Sequence, residues 1–146
     1  MSVDGSAGTF GFGRAALTVH ATAPLPRGLV LGVETAGGTS AGRVPLQSRW
    51  FLGGPATLRG YPGGALSGEA FWRARGEVAN AFPGARLALY TDGGSAGPRD
   101  GPGFPRPLWS AGLGASFLDG LIRIDCSRAL RAPVGWRVDF YADGIL

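Results

Sequence analysis

Three charged side chains offer the most chemistry in this chain. They are Arg59, in the tetrad Leu58-Arg59-Gly60-Tyr61, and the carboxylates of Glu77 and Asp92. The tetrad lies in FLGGPATLRGYPGG, residues 51–64, between two glycine clusters. Glycine lets the backbone take positive φ and approach other groups closely, so an arginine flanked by Gly60 and Tyr61 can be carried deep into a cavity. A guanidinium taken out of water needs charged partners, and its planar fork can bond a carboxylate twice. Such chemistry positions a loop; it makes and breaks no covalent bond. Taken alone, the same residues also describe a glycine-rich surface loop with a solvated arginine. The elements that carry Glu77 and Asp92 must decide between the two.

Other chemistries find little support. Cys126 is the single cysteine, so no intrachain disulfide and no cysteine metal cluster is available. His20 is the single histidine, which leaves little for a zinc site or a Ser-His-Asp triad. GALSG at 64–68 does not form a Gly-x-Ser-x-Gly elbow, and GTFGFG at 8–13 lacks the strand-before, helix-after context of a dinucleotide loop. Asp125 and Asp139 sit on neighbouring strand segments, but Arg123 and Arg137 are at hand to pair with them. No enzyme, cofactor or metal is expected. The net charge of +4 and the pI near 10.2 fit a nucleic-acid binder. Yet the arginines are dispersed from Arg14 to Arg137 with no basic run, so no nucleic-acid partner is expected.

The positioning elements are strands. The 146 residues suit one domain, 1–146, and a content of 27 glycines with charged residues at only 16% departs from ordinary soluble composition. Apolar residues alternate with period two, which predicts strands near 13–23, 28–37, 69–81, 84–93, 108–118, 121–130 and 134–142. Short turns at Pro24–Arg27, Phe82-Pro83-Gly84 and Asp119-Gly120 alternate with longer loops near 38–68, 94–107 and 129–134. Short connections at one end and long ones at the other are the pattern of an up-and-down outer-membrane barrel.

The two faces differ sharply. Leu87 and Leu89 oppose Arg86, Tyr90 and Asp92; Trp72 and Val78 oppose Arg73, Arg75 and Glu77. Ile122, Ile124 and Cys126 oppose Arg123, Asp125 and Ser127, while Trp136, Val138 and Phe140 oppose Arg137, Asp139 and Tyr141. A soluble sandwich turns the apolar face inward; a membrane barrel turns it to lipid and pairs its charges in the lumen. Alternation alone allows both. Trp72, Trp109 and Trp136 favour the barrel, because each opens a strand that leaves a long loop, as an interfacial aromatic girdle requires. On that reading His20 faces the lumen and Cys126 faces lipid.

FLGG, LRGY, a glutamate strand, TDGG, LIRIDCS and a terminal aromatic strand follow one another in this order. This series resembles the bacterial surface antigen barrel superfamily, which includes BamA, TamA and FhaC. The resemblance spans about residues 10–142, and its specificity lies in order and spacing rather than in any one motif. It implies an all-β, antiparallel, transmembrane barrel of which this chain supplies the C-terminal portion, about seven strands of a sixteen-stranded whole. It implies that the loop near 38–68 folds into the lumen, where Arg59 pairs with Glu77 and Asp92 while Gly60 and Tyr61 pack beside it. It also implies that PVGWRVDF, with Gly135, Val138 and Phe140, serves as the C-terminal insertion signal, although Pro133 and the trailing YADGIL depart from that pattern.

The function so implied is assembly or translocation of proteins at the bacterial outer membrane. The partners are the lipid bilayer, client outer-membrane or secreted proteins, and accessory assembly proteins. MSVDGSAGTFGFGR has neither a basic start nor an apolar core, so no signal peptide is read, and a fragment of a longer protein is the expectation. A soluble β-sandwich binding module with long glycine-rich loops is the alternative.

Overall fold

The computed structural model describes residues 2–6, 11–80, 84–100, 103–118 and 120–142. Its strands are β1 (Ser2–Ser6), β2 (Phe12–Leu25), β3 (Leu29–Gly42), β4 (Trp50–Leu52), β5 (Leu66–Gly68), β6 (Ala70–Asn80), β7 (Arg86–Gly97), β8 (Leu108–Phe117), β9 (Ile122–Ala129) and β10 (Gly135–Ala142). No α-helix occurs among the described residues. Glycine, proline and period-two alternation leave no amphipathic helical stripe for one to form.

Eight strands make one antiparallel sheet in the order β1-β2-β3-β6-β7-β8-β9-β10, and β4 pairs with β5 in a separate hairpin. With that hairpin set aside, every strand pairs with its neighbour in chain order, so the topology is up-and-down. Among the described residues no ladder joins β1 to β10, and the sheet is not closed as a barrel. The seven expected strands are all present; β1 is an eighth that the alternation did not indicate.

Two strands run beyond their expected ends. β3 continues past residue 37 through GTSAG to Gly42, and β7 continues past residue 93 through GSAG to Gly97. Neither extension carries apolar alternation. Their neighbours hold them, through Phe12↔Gly42 on one side and Ala70↔Gly97 on the other. The β2–β3 connection is a tight 3-10 turn at Pro26–Gly28 in which Arg27 takes φ 63°. The expected turns at Phe82-Pro83-Gly84 and Asp119-Gly120 fall partly outside the described residues, as do Gly8–Phe10 of the glycine-rich entry.

The segment between β3 and β6 is not slack. It contains a 3-10 turn at Leu46–Ser48, the β4–β5 hairpin and a bridge between Gly54 and Leu58. Leu52 packs with Ala36, Phe71 and Ala96, and Leu58 and Tyr61 pack with Leu108 and Ala129. These two apolar clusters anchor the segment against the same sheet face that carries the charges. In the first cluster Leu52 is 2% exposed, and in the second Leu58 and Tyr61 are both 0% exposed.

The apolar face of the sheet is the exposed one. Leu87, Leu89, Leu113, Val138 and Phe140 are all more than 60% exposed, whereas Asp92 and Asp125 on the opposite face are fully buried. This is the reverse of a soluble sandwich. The sequence defined the two faces, and the structure shows which of them is covered.

Candidate functional site

The tetrad reaches the charged face because of Gly60. Its φ is +85°, and a Cβ there would stand 3.1 Å from Ser110 Cβ and 3.2 Å from Ser127 Cβ. Only glycine combines that left-handed conformation with so close an approach. The turn sends Arg59 to one side and Tyr61 to the other. The Tyr61 hydroxyl accepts the Arg131 N–H at 3.1 Å and donates to the carbonyl of Trp109 (2.9 Å) or Arg131 (3.0 Å). It thereby ties the loop to the β8 and β9 ends of the sheet.

Arg59 meets Asp92 through three bonds. Its Nη2 donates to Oδ1 at 2.6 Å, while Nε and the backbone N–H donate to Oδ2 at 2.7 and 3.1 Å. Nη1 donates to Glu77 Oε2 at 3.2 Å and lies 3.8 Å from Asp125 Oδ2. The guanidinium also rests 3.5 Å from the ring centre of Tyr90, a cation–π geometry. Burial works against its charge, but the hydrogen bond and charge of Asp92, aided by Asp125, outweigh that and raise its pKa above the ordinary arginine value. Arg59 is therefore held as a cation.

The structure thus brings Arg59, Gly60, Tyr61, Glu77 and Asp92 into one place, and it adds residues that the sequence reading left outside the group. Arg123 on β9 donates to Glu77 at 2.6 Å and to Asp125 at 3.0 Å. Arg86 Nη2 lies 3.2 Å from the other Glu77 oxygen. The Tyr141 hydroxyl donates to Asp125 Oδ2 at 2.5 Å, and Tyr90 shares a 2.6 Å bond with Ser127. Arg75 donates to the Pro55 carbonyl at 2.6 Å, so a β6 side chain grips the loop's own backbone.

Space for this layer comes from β8. A Cβ at Gly112 would strike the Tyr90 ring, and one at Gly114 would strike the Arg123 guanidinium. Glu77 and Arg123 stand three strands apart, roughly 14 Å along the sheet, so they meet only because the sheet curves. Alternation marked each as inward-facing; curvature, which alternation does not encode, decides which inward residues touch.

Beside the network lies a cavity of about 640 Å³ lined by Glu34, Arg59, Arg75, Glu77, Arg123 and Tyr141 among others. His20 also borders it, with Nδ1 3.2 Å from Glu34 Oε2, and Arg73 pairs with Glu34. Arg137 donates to Asp139 at 2.7 Å within β10. Among the described residues, no set of His, Cys, Asp and Glu side chains is arranged to hold a metal ion. With every carboxylate of the group engaged by arginine or tyrosine, the arrangement fixes a loop and offers no free acid–base pair.

A scan against protein-family models finds no match, and a search of the curated proteins finds none either. The functional reading rests on the geometry.

The three tryptophans lie on the apolar face at the long-connection end of β6, β8 and β10. Trp109 is opposite Ala74 by way of Gly93, and Trp136 is opposite Ala111 by way of Arg128. Each therefore sits two residues further along its strand than the one before. Trp72 and Trp109 make an edge contact at 6.3 Å. Trp50 differs: it belongs to the loop and packs on Phe71 and Arg14. Gly135 opens β10, and Val138 and Phe140 project from its exposed face at 68% and 71%.

Proposed function

We propose that this chain forms part of an outer-membrane β-barrel of a protein assembly or translocation factor, with the segment between β3 and β6 locked inside the lumen by Arg59. One observation carries the reading: the exposed sheet face is apolar while the covered face holds a paired-charge layer engaged by a loop arginine. In lipid that arrangement is stable, since apolar side chains meet acyl chains and charges meet one another. In water it would leave a broad apolar surface unsatisfied. Strand lengths support the same reading. β6, β7 and β8 have 11, 12 and 10 residues, and a tilted strand needs ~9–11 to cross the hydrocarbon core.

The loop lock favours an assembly or export barrel over a passive pore, which has no need of an arginine held by three interior carboxylates. Client strands and accessory assembly proteins are the proposed partners. Among the described residues no strand pairs with the outer edges of β1 and β10, and in lipid the N–H and C=O groups of those edges require partners.

Fractionation tests the membrane reading. The native protein is expected in the outer-membrane fraction, resistant to urea extraction and released by detergent. Recovery as a detergent-free soluble monomer would establish the sandwich-type binding module instead. Liposomes carrying the native protein are expected to accelerate insertion of an unfolded porin; equal rates with and without it would remove the assembly role and leave only a membrane barrel.

A further inference from the structure

The outward face of β2, β3 and β6–β10 carries one charged side chain among its described residues, Arg128 near the end of β9. Every other arginine, aspartate and glutamate of those strands takes the inward position or pairs there, as Arg73, Arg75, Glu77, Asp92, Arg123, Asp125 and Arg137 do. A lone cation on an apolar band has a strong energetic reason to be absent unless something anionic meets it.

Its surroundings indicate what that is. Arg128 is exposed and lies opposite Trp136, with its guanidinium 5.5 Å from that ring's centre. On its other side is the small Ala111, one step along the face from Trp109. Ala111, Arg128 and Trp136 therefore lie in one row across the outward face, with Trp109 one step nearer the long connections. Arg106 and Arg131, both exposed, stand in the connections that lead into β8 and β10 at this same end. Asp100 is the only acidic residue in those connections, and Arg99 pairs with it at 2.8 Å. The rim above this row is thus basic, and on the membrane reading the row lies where an aromatic girdle meets the headgroup region.

We propose that Arg128, flanked by Trp109 and Trp136, binds the phosphate of an anionic lipid in the leaflet at the long-connection end of the barrel. The proposal rests on the membrane reading above. The guanidinium fork donates to phosphate oxygens, the tryptophan rings border the lipid's apolar base, and Arg106 and Arg131 add attraction at the rim. No strand residue at the opposite end offers an outward cation. There Arg27 stands in the tight turn alone.

The test uses the full chain in phosphatidylcholine nanodiscs containing either bisphosphorylated lipid A or its dephosphorylated form, with retained lipid counted by native mass spectrometry. Wild type is expected to retain the phosphorylated form preferentially. Arg128→Gln should weaken that retention by roughly tenfold, the scale of one charge-assisted bond, and leave the dephosphorylated form unaffected. Arg128→Lys, which keeps the charge but not the fork, should retain more than Arg128→Gln and less than wild type, Arg27→Gln should change nothing, and inorganic phosphate should not compete. Equal retention by wild type and Arg128→Gln, or no preference for phosphate in wild type, overturns the proposal while the embedded chain upholds the barrel. A chain that never enters the nanodiscs overturns the barrel reading itself.

Discussion

Arg59 illustrates why a buried charge network is sensitive to the loss of one member. Its guanidinium is 4% exposed and its principal partner, Asp92, is fully buried. Deleting the cation removes all three of its bonds to the fully buried Asp92 and leaves that carboxylate only Arg75, at 3.6 Å, as an ion-pair partner among the described residues. Arg59→Ala is expected to cost ~3–5 kcal/mol, read as a lowered denaturation midpoint together with rapid proteolysis between residues 43 and 69. Unchanged protease resistance would show that the apolar anchors Leu58 and Tyr61 hold the loop unaided. Arg59→Lys keeps the charge but loses the fork, so it should rescue little of the stability. Gly60→Ala tests the turn separately: with φ at +85° and two serine Cβ atoms near 3.1 and 3.2 Å, it should cost about 1–3 kcal/mol. Wild-type stability in that variant would mean the sheet yields to admit the methyl group. The site was legible in part. Arg59, Glu77 and Asp92 could be grouped because a glycine-framed arginine and two inward carboxylates need one another. Tyr90, Arg123 and Tyr141 could be placed on the inward face but not joined to the group, since joining them requires the curvature between β6 and β10.

At the scale of elements, the strands divide into parts specified by their own residues and parts specified by neighbours. In β9 the alternation from Ile122 to Ser127 agrees with burial residue by residue, and in β8 it does so from Leu113 to Phe117. The glycine-rich ends of β3 and β7 carry no such pattern, and β4 and β5 are three residues each. Those pieces become strands only once a partner supplies the ladder, so local sequence could not announce them. The tryptophans belong to the first kind, because their positions follow from strand starts. Single-tryptophan variants retaining Trp72, Trp109 or Trp136 are expected to be quenched by brominated lipids at a common shallow depth. Trp50, packed in the loop between Phe71 and Arg14, should escape lipid-borne quenching. Deep quenching of Trp136 alone would instead place β10 out of register with a shared interface.

The whole molecule is an open layer whose faces are exchanged relative to a water-soluble domain. It presents 8637 Å² of accessible surface, where a compact globular chain of this mass would present about 7,000 Å². Among the described residues no second layer covers the apolar side of the curved sheet, which contributes to that excess. Cys126 probes what does cover it. The thiol is the chain's only one, half-buried on the outward face of β9, and lies in register between Leu113 on β8 and Val138 on β10. In water such a position would react readily with a charged maleimide. Under acyl chains the charged reagent is excluded. Labelling of the native membrane-embedded protein should therefore be slower than after detergent denaturation by on the order of tenfold or more. Ser67→Cys in a Cys126→Ser background, on the exposed position of β5, should label rapidly in both conditions and control for reagent access. Equal fast labelling of Cys126 in both would put the apolar face in water and return the fold to the soluble class.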